Sequence, residues 1–159
     1  MQGARGFSLI ELLIVVAIIL LIAAIAVPNY LHSREVANES AAVAAVRTLN
    51  TAQISYSSAY PTVGYASTLG ALGGTNCNPP DSTGACLIDT ALAGGLKSGY
   101  SFQLTGTSGS TPATTYQFLA TPVLPGFSGS RYFCSFADAV VRVSESAIST
   151  CDGTVPPQQ

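Results

Sequence analysis

Residues 6–30 read GFSLIELLIVVAIILLIAAIAVPNY, and this stretch decides how the rest of the chain is organised. From Leu12 to Val27 every residue is Leu, Ile, Val or Ala, and no charge follows Glu11 until Arg34. In a helix rising 1.5 Å per residue, about 20 such residues cross a hydrocarbon core roughly 30 Å thick. A secretory signal carries a shorter apolar region, about 7–15 residues, and ends at a small-residue cleavage site. Here the run flows directly into a second helical pattern, so it reads as a retained anchor.

Two residues interrupt the apolar logic. A carboxylate inside a membrane helix costs about 2.5–3.5 kcal/mol at the centre and less near an end, which makes Glu11 a functional candidate. Glu11 also sits where a first helical turn favours an anion through the helix dipole. Pro28 lacks an N–H and clashes with the preceding turn, so a kink or loosening is expected near Ala24 to Val27, with two helices hinged at Pro28 as the alternative.

Gly6-Phe7-Ser8-Leu9-Ile10-Glu11-Leu12, the apolar run and Pro28-Asn29-Tyr30 together resemble the N-terminus of type IV pilins and pseudopilins. The resemblance implies that a prepilin peptidase cuts after Gly6 and that Phe7 becomes an N-methylated mature terminus. It also implies that Glu11 neutralises the Phe7 amine of a neighbouring subunit during filament assembly. Elementary electrostatics gives that role a rationale. A free amine on Phe7 would be a cation four residues from Glu11, and opposite charges in a low dielectric are better paired than apart. The sequence departs from the family pattern in two places. Its leader, Met1 to Gly6, carries only Arg5 as a positive charge, and the run Ile18 to Ile22 lacks the glycine common in family members. Arg5 before the span still fits a cytoplasmic N-terminus.

The chain has 159 residues, 48% of them hydrophobic and 9% charged, with a formal net charge of −2, enough for an anchor and one modest domain. Weak negative charge leaves no basic footprint for nucleic acid. After Asn29 the helical pattern continues but becomes amphipathic: Val36, Val43, Val46, Leu49 and Tyr56 recur at steps of three or seven, while Arg34, Glu35, Glu39, Arg47 and Asn50 occupy other positions. No glycine or proline occurs between Tyr30 and Tyr60, so one helix of about 50 residues ending before Pro61 is expected. Residues 61–98 are rich in glycine and proline and read as a long connection, with a short helix or turn in Leu87 to Leu96 closed by Gly94-Gly95. Such a connection corresponds, by resemblance, to the αβ-loop on a filament surface.

The last third alternates as strands do. Tyr100–Leu104 and Tyr116–Ala120 read as one hairpin, and Arg131–Phe136 with Val140–Val143 as a second, turning near Ala137-Asp138. The expected fold is α+β: a long N-terminal helix, membrane-spanning in its first half and amphipathic in its second, packed on a small antiparallel β-sheet. The expected divisions are a leader at 1–6, an assembly segment at 7–28, the amphipathic half-helix at 29–60, the loop at 61–98 and the sheet region at 99–159.

Four cysteines in an exported domain point to disulfides, of which three connectivities are open. The favoured one pairs Cys77 with Cys86 and Cys134 with Cys151. The second bridge resembles the disulfide-bounded C-terminal region of many pilins. No metal or cofactor site is expected: there is no C-x-x-C, and His32 is the single histidine. One histidine amid serines makes no triad, Asp81, Asp89, Asp138, Glu145 and Asp152 lack EF-hand spacing, and no phosphate-cradling glycine motif occurs, so no enzyme is expected.

By resemblance, then, the chain is a structural subunit of a type IV pilus and forms a helical homo-oligomer. Its partners would be the prepilin peptidase and an inner-membrane assembly machinery. Its location would be the inner membrane as a single-pass precursor and the cell surface after assembly. The alternatives are a pseudopilin of a type II secretion system and a single-span protein that never polymerises and exports a binding domain.

Overall fold

The computed structural model describes residues 7–74, 77–107 and 109–158. The chain divides into two compact units, Met1–Arg34 and Glu35–Gln159. Helix α1 (Leu9–Ala59) runs without glycine and with Pro28 as its only proline. The helix runs unbroken through Pro28. A proline inside a helix removes one i→i−4 bond at a cost of about 3 kcal/mol, and here the orphaned group is the Ala24 carbonyl. Helix α1 stops ahead of Pro61, whose missing N–H cannot extend the ladder, and Val63 and Gly64 close the end by donating to the Tyr60 carbonyl.

In the second unit the chain makes two one-turn helices and a five-stranded antiparallel sheet. Thr68 caps α2 (Leu69–Leu72) and Asp89 caps α3 (Thr90–Ala93), each accepting a backbone N–H. The strands are β1 (Leu96–Lys97), β2 (Tyr100–Thr105), β3 (Gln117–Pro122), β4 (Tyr132–Phe136) and β5 (Arg142–Ser144), and they lie side by side in chain order. Register pairs Phe102 with Ala120, Ala120 with Phe133, and Phe133 with Val143. Side chains alternate across a strand, so this row shares one face, together with Tyr100 and Phe118. That face packs against the buried stripe of α1: Ala42, Val43, Ala45, Val46, Leu49, Ala52 and Tyr56.

The opposite face carries a second, smaller core of Leu119, Cys134 and Cys151, flanked by Phe136, Ile148 and Val155. The C-terminal segment builds it. Val143 donates to Pro156, and Gln158 donates to Val141, so the tail also covers the outer edge of β5. Edge strands left open are templates for unwanted pairing, and this tail removes one.

Three expectations need correcting. Val36 is 45% exposed, whereas Glu39 and Asn50, placed by the sequence pattern on the polar side, are buried at 3% and 4%. The true stripe uses alanines that a large-apolar periodicity overlooks, and both polar side chains are satisfied by partners far along the chain. The second hairpin turns at Ala137-Asp138 as expected, but its return strand begins two residues later than the sequence suggests. Asp138 accepts from Val140 N and from the Arg142 guanidinium, which holds residues 137–141 in a loop and starts β5 at Arg142. Finally, α2 and β1 fall where the sequence reads as connection, because four- and two-residue elements carry no readable period.

Candidate functional site

The candidate site is the apolar start of α1. Fifteen large apolar side chains between Phe7 and Val27 are exposed, from Leu9 at 77% to Val16 at 45%. Ala23 is the one residue in 7–34 that is even half-buried. A helix apolar on every side belongs in a protein core or a membrane. Covering this many side chains is worth on the order of tens of kcal/mol, so water is not their working environment. Among the described residues, α1 is the one helix long and apolar enough to cross a membrane.

Glu11 lies in the first turn, and its N–H and that of Leu12 both donate to the Ser8 carbonyl. Because α1 begins at Leu9, Ser8 stands at the N-cap and Glu11 at the third helical position, which is the residue order of a capping box. Ser8-x-x-Glu11 is the sequence signal from which this arrangement could have been read. It keeps the carboxylate near the positive end of the helix dipole and four residues from Phe7. Gly6, the expected cleavage position, lies outside the described residues. Phe7 precedes the helix and is exposed, and Pro28 is inside α1.

The second unit is fastened to its own stretch of α1 by a series of polar clamps. The Asn38 amide donates to the Ser128 carbonyl at 3.0 Å. Glu39 accepts from Ser130 N, Ser130 Oγ and Arg131 N through Oε1, and from Arg131 Nε through Oε2. Asn50 donates to Ser135 Oγ and to the Ala139 carbonyl, and accepts from the Tyr116 hydroxyl. Burial pushes that hydroxyl's pKa up to about 12, so it stays protonated and remains a donor at physiological pH. The Gln53 amide exchanges two bonds with the backbone of Ala66, and Tyr56 donates to the Ser82 carbonyl. These groups satisfy loop backbone that burial would otherwise leave orphaned.

Cys77 and Cys86 form one disulfide and Cys134 and Cys151 the other, each with Cα atoms 5.8 Å apart. The first closes the connection between α2 and α3. The second ties the C-terminal segment to β4 inside the smaller core, where Cys151 N also donates to Gln117 Oε1. Among the described residues no group of three or more His, Cys, Asp or Glu side chains could hold a metal ion.

Comparison with known proteins bears on the same segment. The family described as "Prokaryotic N-terminal methylation motif" matches residues 1–27. The type IV wide pilus major component of Thermus thermophilus is 52% identical over 44 residues, covering 28% of this chain and 34% of that protein. The type IV major pilin protein of Myxococcus xanthus is 50% identical over 52 residues, covering 33% of this chain and 24% of that protein. The likeness therefore spans about a third and a quarter of the length of these relatives. No solved structure matches.

Proposed function

We propose that this chain belongs to the type IV pilin family, whose members its N-terminal segment resembles, and is a structural subunit of a type IV pilus filament. The role is structural rather than enzymatic. The observation that carries the proposal is the exposed, uncharged face of α1 from Leu12 to Val27 with a single acid, Glu11, ahead of it. The methylation motif and this helix fit membrane anchoring of the precursor. In the filament, like helices replace lipid around the same side chains. Removal of residues 1–6 would free the Phe7 amine, and a bundle of such helices selects the register in which each Glu11 meets an amine, its own or a neighbour's.

The prepilin peptidase and an inner-membrane assembly machinery are the partners this reading requires. N-terminal sequencing of protein sheared from the cell surface tests it: a mature start at methylated Phe7 is expected, and surface material that retains Met1 through Gly6 overturns it. A pseudopilin of a type II secretion system would use the same helix. Surface fibres containing this chain mark the pilus, and lost protein secretion without fibres marks the pseudopilin.

A further inference from the structure

The five-stranded sheet carries a knob at one end of its strands and a socket at the other. The knob is the loop between β3 and β4, residues 123–131, which exposes Val123 at 52%, Leu124 at 61% and Phe127 at 71%. No charged residue occurs from Thr121 to Ser130. The loop holds its own shape through hydrogen bonds. Val123 donates to Gly99, Gly126 to Gly129, and Phe127 and Ser128 both donate to the Leu124 carbonyl, while Ser128 Oγ accepts from Leu124 N. Covering an apolar side chain is favourable, and one already held outward on an ordered turn loses little freedom when covered.

The socket is a cavity of about 340 Å³ at the opposite end of the same strands, where β2 gives way to Gly106, β3 begins and β4 ends. Its wall is mainly apolar, built from Tyr116, Phe136, Ala137, Cys151 and Gly153 with Gln117 beside them. Three fastenings preform it. The Cys134–Cys151 disulfide ties the third wall to β4, Gln117 Oε1 accepts from Cys151 N, and Thr115 Oγ1 donates to the Gly106 carbonyl. The Arg142 guanidinium lies 4.3 Å from the Phe136 ring centre and backs that ring. Asp152, the acid at the rim, turns Oδ1 onto Thr154 N and Oγ1. Between socket and knob β3 runs from Gln117 to Pro122, about 20 Å at roughly 3.3 Å per residue. The loop is pinned by β3 and β4, so Phe127 cannot enter the socket of its own chain.

We infer that Phe127 of one copy, with Leu124 beside it, docks in the socket between Tyr116, Phe136 and Gly153 of a second copy. An aromatic anchor in a preformed pocket is a common energetic centre of a protein contact. Knob and socket are unlike surfaces at opposite ends of one sheet, so the contact is heterologous: a copy that gives its knob still offers its socket, and no two-fold axis closes the pair. A filament subunit requires a contact of that kind. The inference rests on the filament reading and adds to it a contact that Glu11 does not make.

The test compares sheared fibres with membranes from cells carrying the full chain with single substitutions. Phe127→Ser removes the knob. Gly153→Trp crowds the socket, and a Cβ added at Gly153 meets nothing within 4 Å, so the fold accepts it. Leu96→Ser removes a comparably exposed apolar side chain, 61%, from β1 and serves as the comparison. Phe127→Ser and Gly153→Trp should each lower the chain in fibres about tenfold at parental membrane levels, with no change for Leu96→Ser. Fibres of Phe127→Ser as abundant as the parent's overturn the inference, and loss of fibres in Glu11→Val alongside them leaves the filament reading standing. An equal loss in Leu96→Ser overturns it as well. Photo-crosslinking of assembled fibres with benzoylphenylalanine in place of Phe127 identifies the receiving surface independently of how the other variants fold. Adducts with residues 115–117, 136–137 or 151–153 of a second copy are expected. Adducts within one chain, with lipid, with another protein or elsewhere on a second copy overturn the inference. A parent chain that forms no fibres overturns the filament reading and this contact together.

Discussion

Glu39 and Arg131, ninety-two residues apart in sequence, meet with Nη2 at 2.6 Å and Nε at 2.7 Å from the same carboxylate oxygen, Oε2. The other oxygen, Oε1, receives the backbone N–H groups of Ser130 and Arg131. One buried acid on α1 therefore fixes where β4 begins.

Burial alone would raise the Glu39 pKa, but the Arg131 side chain and the Ser130 and Arg131 N–H groups outweigh it and hold the carboxyl below its ordinary value. A depressed carboxylate stabilises the fold above the unfolded-state pKa, about 4.3 for glutamate, and that contribution disappears as pH falls through the lower folded-state value. Glu39→Gln keeps the shape and removes the charge. It should lower stability near neutral pH by about 2 kcal/mol, in the range for hydrogen bonds to a charged group. It should also flatten the loss of stability below about pH 4. Thermal unfolding of detergent-solubilised protein across pH measures both; parallel acid limbs for the two proteins would contradict the assignment.

Gly129 lies against the Tyr100 ring, close enough that an added Cβ would collide with its hydroxyl and ring carbons. Tyr100 cannot yield easily, because it is fully buried and its hydroxyl donates to the Arg131 carbonyl at 2.8 Å. Gly129→Ala should therefore destabilise the sheet unit by about 1–3 kcal/mol, the usual cost of overpacking. A smaller penalty for Gly129→Ala when it is made in a Tyr100→Phe background, which removes the nearest colliding atom though not the ring carbons, would identify steric overlap as the cause. Equal stability of Gly129→Ala and the parent protein would refute it.

The two disulfides differ in surroundings. Cys134 and Cys151 are buried at 0% and 2%, while Cys77 is exposed. Closing loops of 9 and 17 residues contributes roughly 3 kcal/mol each in the chain-entropy model, a little less for the shorter. Burial adds a packing contribution for the second pair alone. Mild reductant followed by alkylation should label Cys77 and Cys86 first, and Cys134→Ala with Cys151→Ala should cost more stability than the equivalent change at Cys77 and Cys86. Simultaneous labelling of all four would argue against this ranking.

The α+β architecture was legible because its signals are long. Fifty residues without glycine read as a helix, and Tyr100–Leu104 and Tyr116–Ala120 alternate cleanly. What escaped reading lies in tertiary partnership. Glu39 and Asn50 look like solvated residues until the orphaned N–H groups of residues 130–131 and the Ser135 hydroxyl are seen opposite them. The core on the reverse face was hidden for a similar reason, since Leu119 and Cys134 fall on what one hairpin alone would present to solvent. Ile148 and Val155, which cover them, belong to no regular element. At the candidate site, Phe7 through Val27 is a property of local sequence and was readable directly.

The account depends on Glu11 being kept in an apolar helix for the sake of neighbouring copies of that helix. Its most direct test is the amount of the chain recovered in sheared surface fibres from cells carrying Glu11→Val, measured against the amount in their membranes. The account predicts a membrane-inserted protein with a mature Phe7 start and little or none in fibres. Fibres as abundant as those of the parent protein would contradict it.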